Sequence, residues 1–70
     1  MTNVVVWRLH HPNGQSARCT LVSDVGGAWR LQRWLNGFVA GGEEFRKRDE
    51  AFSRAIELRK GFEARGFRED

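Results

Sequence analysis

The chain has 70 residues, one cysteine and a formal net charge of +3. This length allows a single domain with one small core, and one cysteine excludes an intramolecular disulfide or a cysteine-based zinc site. The apolar run before Arg8 has only four residues, which is too short for a signal peptide or a membrane span. We therefore expect one cytoplasmic domain over residues 1–70, with no linker.

The first predicted element is a hairpin whose strands lie at about residues 4–11 and 15–23. The stretch "VVVWRLHH" alternates between two sets of side chains, as the two faces of a strand require. The stretch "HPNGQ" is typical of a turn in which glycine adopts the left-handed conformation. The register set by this turn pairs the inward-facing residues of the two strands: Leu9 with Ala17, Trp7 with Cys19 and Val5 with Leu21.

A second hairpin is predicted at about residues 28–35 and 38–46, around the dipeptide "NG" that favours two-residue turns. Strict alternation after this turn would place Phe45 on the side away from the core. We therefore predict a β-bulge at Gly41 and Gly42, which returns Phe45 to the core side. The other predicted core-side residues of this hairpin are Trp29, Leu31, Leu35, Phe38 and Ala40.

The periodicity then changes to that of a helix, predicted at about residues 50–65. Asp49 is the predicted N-cap. Gly66 suits the left-handed position that ends a helix, with Phe67 packing back onto Phe62. The predicted apolar face of the helix consists of Ala51, Phe52, Ala55, Ile56, Leu58, Arg59 and Phe62.

These elements predict an α+β fold, in which an antiparallel meander of three to four strands carries one C-terminal helix packed on one face. The other face of the sheet stays open. Trp34 belongs to this open face, because Trp29 and Leu31 on the same strand point towards the helix. The open face is predicted to gather Val4, Val6, Arg8, His10, Arg18, Thr20, Val22, Arg30, Gln32, Trp34 and Val39.

This mixture of aromatic, aliphatic and basic side chains leaves three hypotheses. The face is a protein interface, with a second copy as the simplest partner, since interfaces are rich in Trp and Arg. Alternatively it binds nucleic acid, with arginines on phosphates and Trp34 stacking. In the third, the sheet face is solvated and the domain is monomeric. The first is the working hypothesis, and its surface consists of Trp34, Val39, Val6, Arg8, Arg18 and Arg30.

No group of residues predicts catalysis, a cofactor or a metal. His10 and His11 are adjacent on a strand and project from opposite faces, so they do not chelate one metal. Cys19 is predicted in the core, where a thiol is a small apolar group. Glu43 and Glu44 have no acid or base partner set by the sequence. We expect a non-catalytic domain with no small-molecule substrate and no membrane contact.

The order of elements resembles two classes of DNA-binding domain, those of plant ethylene-response factors and the arm-binding domains of phage-type integrases. That resemblance covers most of the chain as topology and implies a sheet laid in the major groove. The residue signatures of those domains are missing, so no site residue is carried over. The spacing "RCTLV…WRLQRW…F…A…A…LRKGFEARGF" is similar to small uncharacterised bacterial proteins that pair a short sheet with one helix, which implies no activity.

Overall fold

An antiparallel sheet of five strands carries one helix on a single face, within residues 2–24 and 26–69, the part of the chain that the computed structural model describes. This confirms the predicted α+β meander with one C-terminal helix, and adds a short fifth strand. The order across the sheet is β4-β3-β2-β1-β5. The elements are β1 (Thr2–His10), β2 (Ser16–Ser23), β3 (Trp29–Leu35), β4 (Phe38–Phe45), α1 (Arg48–Ala64) and β5 (Arg68–Glu69).

The turn between β1 and β2 sets the predicted register. The His11 N–H donates to the carbonyl oxygen of Gln15 at 2.8 Å, and Gly14 takes the left-handed conformation with φ +94°. Trp7 consequently lies opposite Cys19, as predicted.

A β-bulge in β1 reverses the predicted faces of the N-terminal valines. The pairing with β2 shifts by one residue at Val6, so Val4 rather than Val5 lies opposite Leu21. Val6 packs against the core, and Val5 lies opposite Thr20. The prediction that Val4 and Val6 lie on the open face was therefore wrong, because an inserted residue inverts the alternation beyond it.

The turn between β3 and β4 is the predicted two-residue turn. Asn36 and Gly37 both have left-handed backbones, with φ +51° and +87°, as the favoured hairpin turn requires. The Asn36 side-chain oxygen also accepts the Ser16 N–H at 3.0 Å, while its own N–H donates to the Ser16 carbonyl at 2.9 Å. The turn is thereby fastened to the start of β2.

The bulge in β4 lies at Ala40, just before the predicted Gly41 and Gly42, because Arg33 pairs with Gly41 and Ala40 is skipped. Its consequence is the predicted one: Phe45 packs against the core. The Arg33 guanidinium group lies against Gly41, where a Cβ would require that side chain to move.

Helix α1 begins at Arg48, and its N-cap is Lys47, which makes no side-chain capping bond. Asp49 was thus wrongly predicted as the N-cap, and it lies in the first turn, where its charge complements the helix dipole. Ile56, predicted on the apolar face, is exposed. The helix packs on the sheet through its other apolar residues, of which Ala51 and Ala55 are completely buried.

The C-terminal end of α1 has the predicted left-handed glycine motif. Gly66 has φ +98°, and the Phe67 N–H donates back to the Phe62 carbonyl at 3.1 Å. The two phenylalanine rings meet edge to face, with centroids 5.1 Å apart. This turn sends the chain back alongside β1, where β5 pairs with it.

Trp7 holds the helix against the sheet. Its indole N–H donates to the Ala55 carbonyl at 2.8 Å, and its ring centroid lies 5.6 Å from that of Phe62. Leu35 and Phe38, predicted in the core, lie on the helix side of the sheet but are exposed, Phe38 by 78%. The buried apolar core consists of Trp7, Leu9, Ala17, Cys19, Leu21, Leu31, Ala51, Ala55 and Phe67.

Two glycines should respond to alanine in opposite directions. A Cβ on Gly61, inside α1, would meet no atom within 4 Å, so Gly61→Ala should raise the free energy of unfolding by about 1 kcal/mol. A Cβ on Gly66 would lie 3.0 Å from Nε2 of His11 on a left-handed backbone, so Gly66→Ala should lower it by about 1 kcal/mol or more. Urea denaturation measures both, and destabilisation by Gly61→Ala would contradict the open space around it.

Candidate functional site

Helix α1 covers one face of the sheet, and no other described element covers the opposite one, called the open face below. Residues paired across neighbouring strands share a face. The strand register therefore shows that the open face contains the residues that alternate with the buried ones. These are Val5, Arg8 and His10 of β1; Arg18, Thr20 and Val22 of β2; Arg30, Gln32 and Trp34 of β3; Val39, Gly42 and Glu44 of β4; and Arg68 of β5.

Trp34 lies on the open face, as predicted, and two contacts fix its ring. The indole N–H donates to the hydroxyl oxygen of Thr20 at 3.0 Å. The guanidinium group of Arg18, its cross-strand neighbour, lies over the ring at 4.2 Å from the ring centroid. Thr20 is buried beneath the indole although it belongs to the open face. Trp34 is therefore a half-buried, oriented ring rather than a freely rotating one.

Two arginines face each other on neighbouring strands. Arg8 lies directly opposite Arg18, and like charges in this position destabilise a sheet. Neither forms an ion pair with a carboxylate of the described residues. The Nε atom of Arg18 is also buried without a hydrogen-bond partner. Such locally unfavourable arrangements are typical of functional sites.

Strand β5 adds an arginine that the sequence analysis missed. Arg68 pairs with His10, so it shares the open face and is a diagonal neighbour of Arg8. A two-residue strand has no periodicity to recognise. The sequence signal that could have identified Arg68 is alternation from Phe67, since Phe67 is buried and the next residue of a strand faces the opposite side. We call Arg8, Arg18 and Arg68 the arginine cluster.

The remaining residues of the predicted surface do not join this cluster. Arg30 lies four positions from Trp34 along β3 and pairs with Glu44 at 3.4 Å. Val39 lies opposite Trp34 and is exposed. Val6 packs against the core and does not belong to the open face.

A depression of about 280 Å³ opens on this face beside Trp34. Guanidinium groups, one hydroxyl group and one indole supply its side-chain chemistry, and no carboxylate lines it. Its electrostatic potential is therefore positive, and its polar groups are mainly hydrogen-bond donors. The lining residues are Arg8, Leu9, Ser16, Ala17, Arg18, Trp34 and Gly37.

The other polar groups singled out in the sequence have structural contacts. Nδ1 of His11 accepts the Asn13 N–H at 3.1 Å, and its Nε2 bonds to the Arg65 carbonyl at 3.2 Å, so it links the first turn to the helix end. Glu43 accepts a hydrogen bond from Arg54 at 3.1 Å. Among the described residues, no three His, Cys, Asp or Glu side chains are grouped for a metal ion. The helix in this part of the chain is not long and apolar enough to cross a bilayer.

No family model, curated protein or solved structure matches this chain. The distinguishing feature of the open face is an oriented indole ring on β3, with the arginine cluster extending from it across β2, β1 and β5.

Removal of the opposed charges should stabilise the sheet. Arg8→Thr relieves the repulsion from Arg18 and introduces a residue suited to strands, so the free energy of unfolding should rise by about 0.5 kcal/mol at low salt. The gain should shrink as salt screens the charges. Lys60→Thr is the control, because Lys60 is an exposed helix residue with no described side-chain contact. Destabilisation by Arg8→Thr at low salt would contradict the proposed repulsion.

Cys19 should be unreactive in the folded protein. Burial raises the pKa of its thiol to about 11, so the nucleophilic thiolate is scarce at neutral pH. A thiol reagent should label the protein at the rate at which it unfolds, and immediately in concentrated urea. Because folding favours the neutral thiol, this contribution to stability should be complete below about pH 9 and lost towards pH 11. Rapid labelling in native buffer would contradict the burial of Cys19.

Proposed function

We propose that the open face binds nucleic acid, with the arginine cluster contacting phosphates. The observation that carries this proposal is the directly opposed pair Arg8 and Arg18, neither of which has a carboxylate partner among the described residues. A phosphate placed between two guanidinium groups turns their repulsion into shared attraction. The planar, multiply donating guanidinium group suits phosphate oxygens especially well.

The distribution of charge supports an anionic partner. Glu43 bonds to Arg54 of the helix and Glu69 to Arg59, so both carboxylates are engaged on the helix side. On the open face, Glu44 is the one carboxylate among the described residues, and it is engaged with Arg30. The molecule thus presents one positive face although its net charge is only +3. A concentrated positive face attracts a polyanion more strongly than the same charge spread over the surface.

The same geometry disfavours the protein interface that was the working hypothesis from sequence. Val6 packs inwards, which removes one aliphatic side chain from the surface. The exposed valines that remain, Val5 and Val39, lie on β1 and β4, about 14 Å apart by strand spacing. A symmetric dimer with its two-fold axis near the arginine cluster would also bring two such clusters together, and like-charge contacts of this kind are unfavourable.

Binding should depend on salt and on the arginine cluster. Fluorescence anisotropy of labelled single-stranded and duplex DNA should give a plot of log affinity against log salt with a slope of about −2 to −3, as three phosphate contacts require. Arg8→Ala and Arg18→Ala should each weaken binding and reduce the slope by about 1. Lys60→Ala removes the same charge from the helix side and should change neither quantity.

Two outcomes would contradict the proposed function. One is no binding at low salt by a folded wild-type protein. The other is equal weakening by Lys60→Ala and Arg8→Ala, which would indicate attraction by net charge rather than by the open face. A concentration-dependent mass of two chains, abolished by Trp34→Ala, would instead support the protein interface.

A further inference from the structure

The depression beside Trp34 is larger than a phosphate contact requires, and its walls include a flat stacked pair of side chains. Its volume of about 280 Å³ is far above the roughly 10–15 Å³ that a single water needs, so it has room for a group larger than one phosphate. Its walls include the stacked Arg18 and Trp34 side chains. A flat, partly enclosed wall of this kind suits a flat ligand.

We infer that this depression receives one unpaired base of a single-stranded nucleic acid, stacked against the Arg18 and Trp34 pair, while Arg8 and Arg68 contact the flanking phosphates. The inference rests on the proposed function and names the form of nucleic acid that the open face prefers. Bases stack on guanidinium planes as well as on aromatic rings. The positive charge of Arg18, spread over its guanidinium plane, adds attraction for the π-face of a base.

The stack is held in place before any ligand arrives. The hydrogen bond from the Trp34 indole to Thr20 fixes the ring over β2, and the ring in turn supports the Arg18 guanidinium group. A ligand therefore does not have to order these two side chains, which would otherwise weaken binding. The long Arg18 side chain would be mobile without the indole beneath it.

An unsatisfied donor points to a ligand with acceptor atoms. Nε of Arg18 is buried and has no hydrogen-bond partner, an arrangement that is uncommon in folded proteins. The Nε–H bond lies in the guanidinium plane, so a base stacked on that plane does not accept from it. Its acceptor would be a sugar or phosphate oxygen beside the stacked base.

A comparison of single-stranded with duplex DNA distinguishes a base-stacking site from simple phosphate binding. A surface that contacts only phosphates favours duplex DNA, because the duplex has the higher charge density. A base-receiving site favours a single strand, because a duplex must first unstack and unpair the base. Stacking of one base typically changes affinity by about tenfold or more, so the preference is measurable.

A displacement titration with labelled oligothymidylate tests the inference. Three competitors are compared: the unlabelled strand, an oligo(dA)·oligo(dT) duplex of equal length, and an abasic strand with the same number of phosphates. We expect the duplex and the abasic strand to compete about tenfold or more less effectively than oligothymidylate. Equal competition by all three would overturn the stacking site while leaving the proposed function intact. No binding of labelled oligothymidylate under low-salt conditions would overturn the stacking site, and the proposed function as well if labelled duplex also failed to bind.

Two conservative variants make the test specific to the stack. Arg18→Lys keeps the charge but loses the flat guanidinium group, so the ratio of single-strand to duplex affinity should fall to about one, whatever its effect on overall affinity. Arg30→Lys is the matched control, since Arg30 is on the same face but does not line the depression. It should retain the full preference. An unchanged preference in Arg18→Lys, or an equal loss in both variants, would overturn the inference.

Discussion

The packing of Trp7 against α1, with a hydrogen bond from its indole to the Ala55 carbonyl, holds the helix on the apolar face of the sheet. Trp7 projects from β1 towards α1, where the small side chains of Ala51 and Ala55 let the helix lie close to the strands. Phe62 packs on the same indole and Phe67 packs on Phe62, so the chain after the helix is held at the same place. One helix covers one face, and the arginine cluster is displayed because the opposite face has no cover among the described residues.

Prediction from sequence succeeded where turn chemistry and apolar alternation agreed. The stretches "HPNGQ" and "NG" each fix a register, and the alternation on both sides of each turn supports that register, so neither signal had to be trusted alone. It failed at the bulge at Val6, because that position carries no glycine or proline and a skipped pairing leaves no other mark. The bulge of β4 was predicted from the neighbouring glycines and lies one residue earlier, at Ala40. The start of the helix at Arg48 was not predicted, because an N-terminus without a side-chain cap has no sequence signal for its first residue.

The sequence predicted which face of the sheet the residues of the candidate site lie on, but not which of their side chains are in contact. Alternation assigned Arg8 and Arg18 to the open face because each lies between core residues, and Trp34 because it is out of phase with Trp29 and Leu31. The stacking of Arg18 on Trp34 could not be predicted, because it depends on a long side chain selecting one rotamer over an indole that Thr20 holds. Arg68 was missed because the two residues of β5 are a strand only by their pairing with β1, far away in the sequence. Local sequence thus identifies which residues share a surface, whereas the fold decides which of them touch.

Binding of a ligand on the open face beside Trp34 is tested most directly by the three indole N–H signals of a ¹⁵N-labelled protein. Trp34 lies on the open face, whereas Trp7 is hydrogen-bonded to the helix and Trp29 packs against the core. Addition of single-stranded DNA at low salt should shift the Trp34 signal and leave the Trp7 and Trp29 signals nearly unchanged, with reversal at high salt. A shift confined to Trp7 or Trp29, with Trp34 unmoved, would contradict a site on the open face.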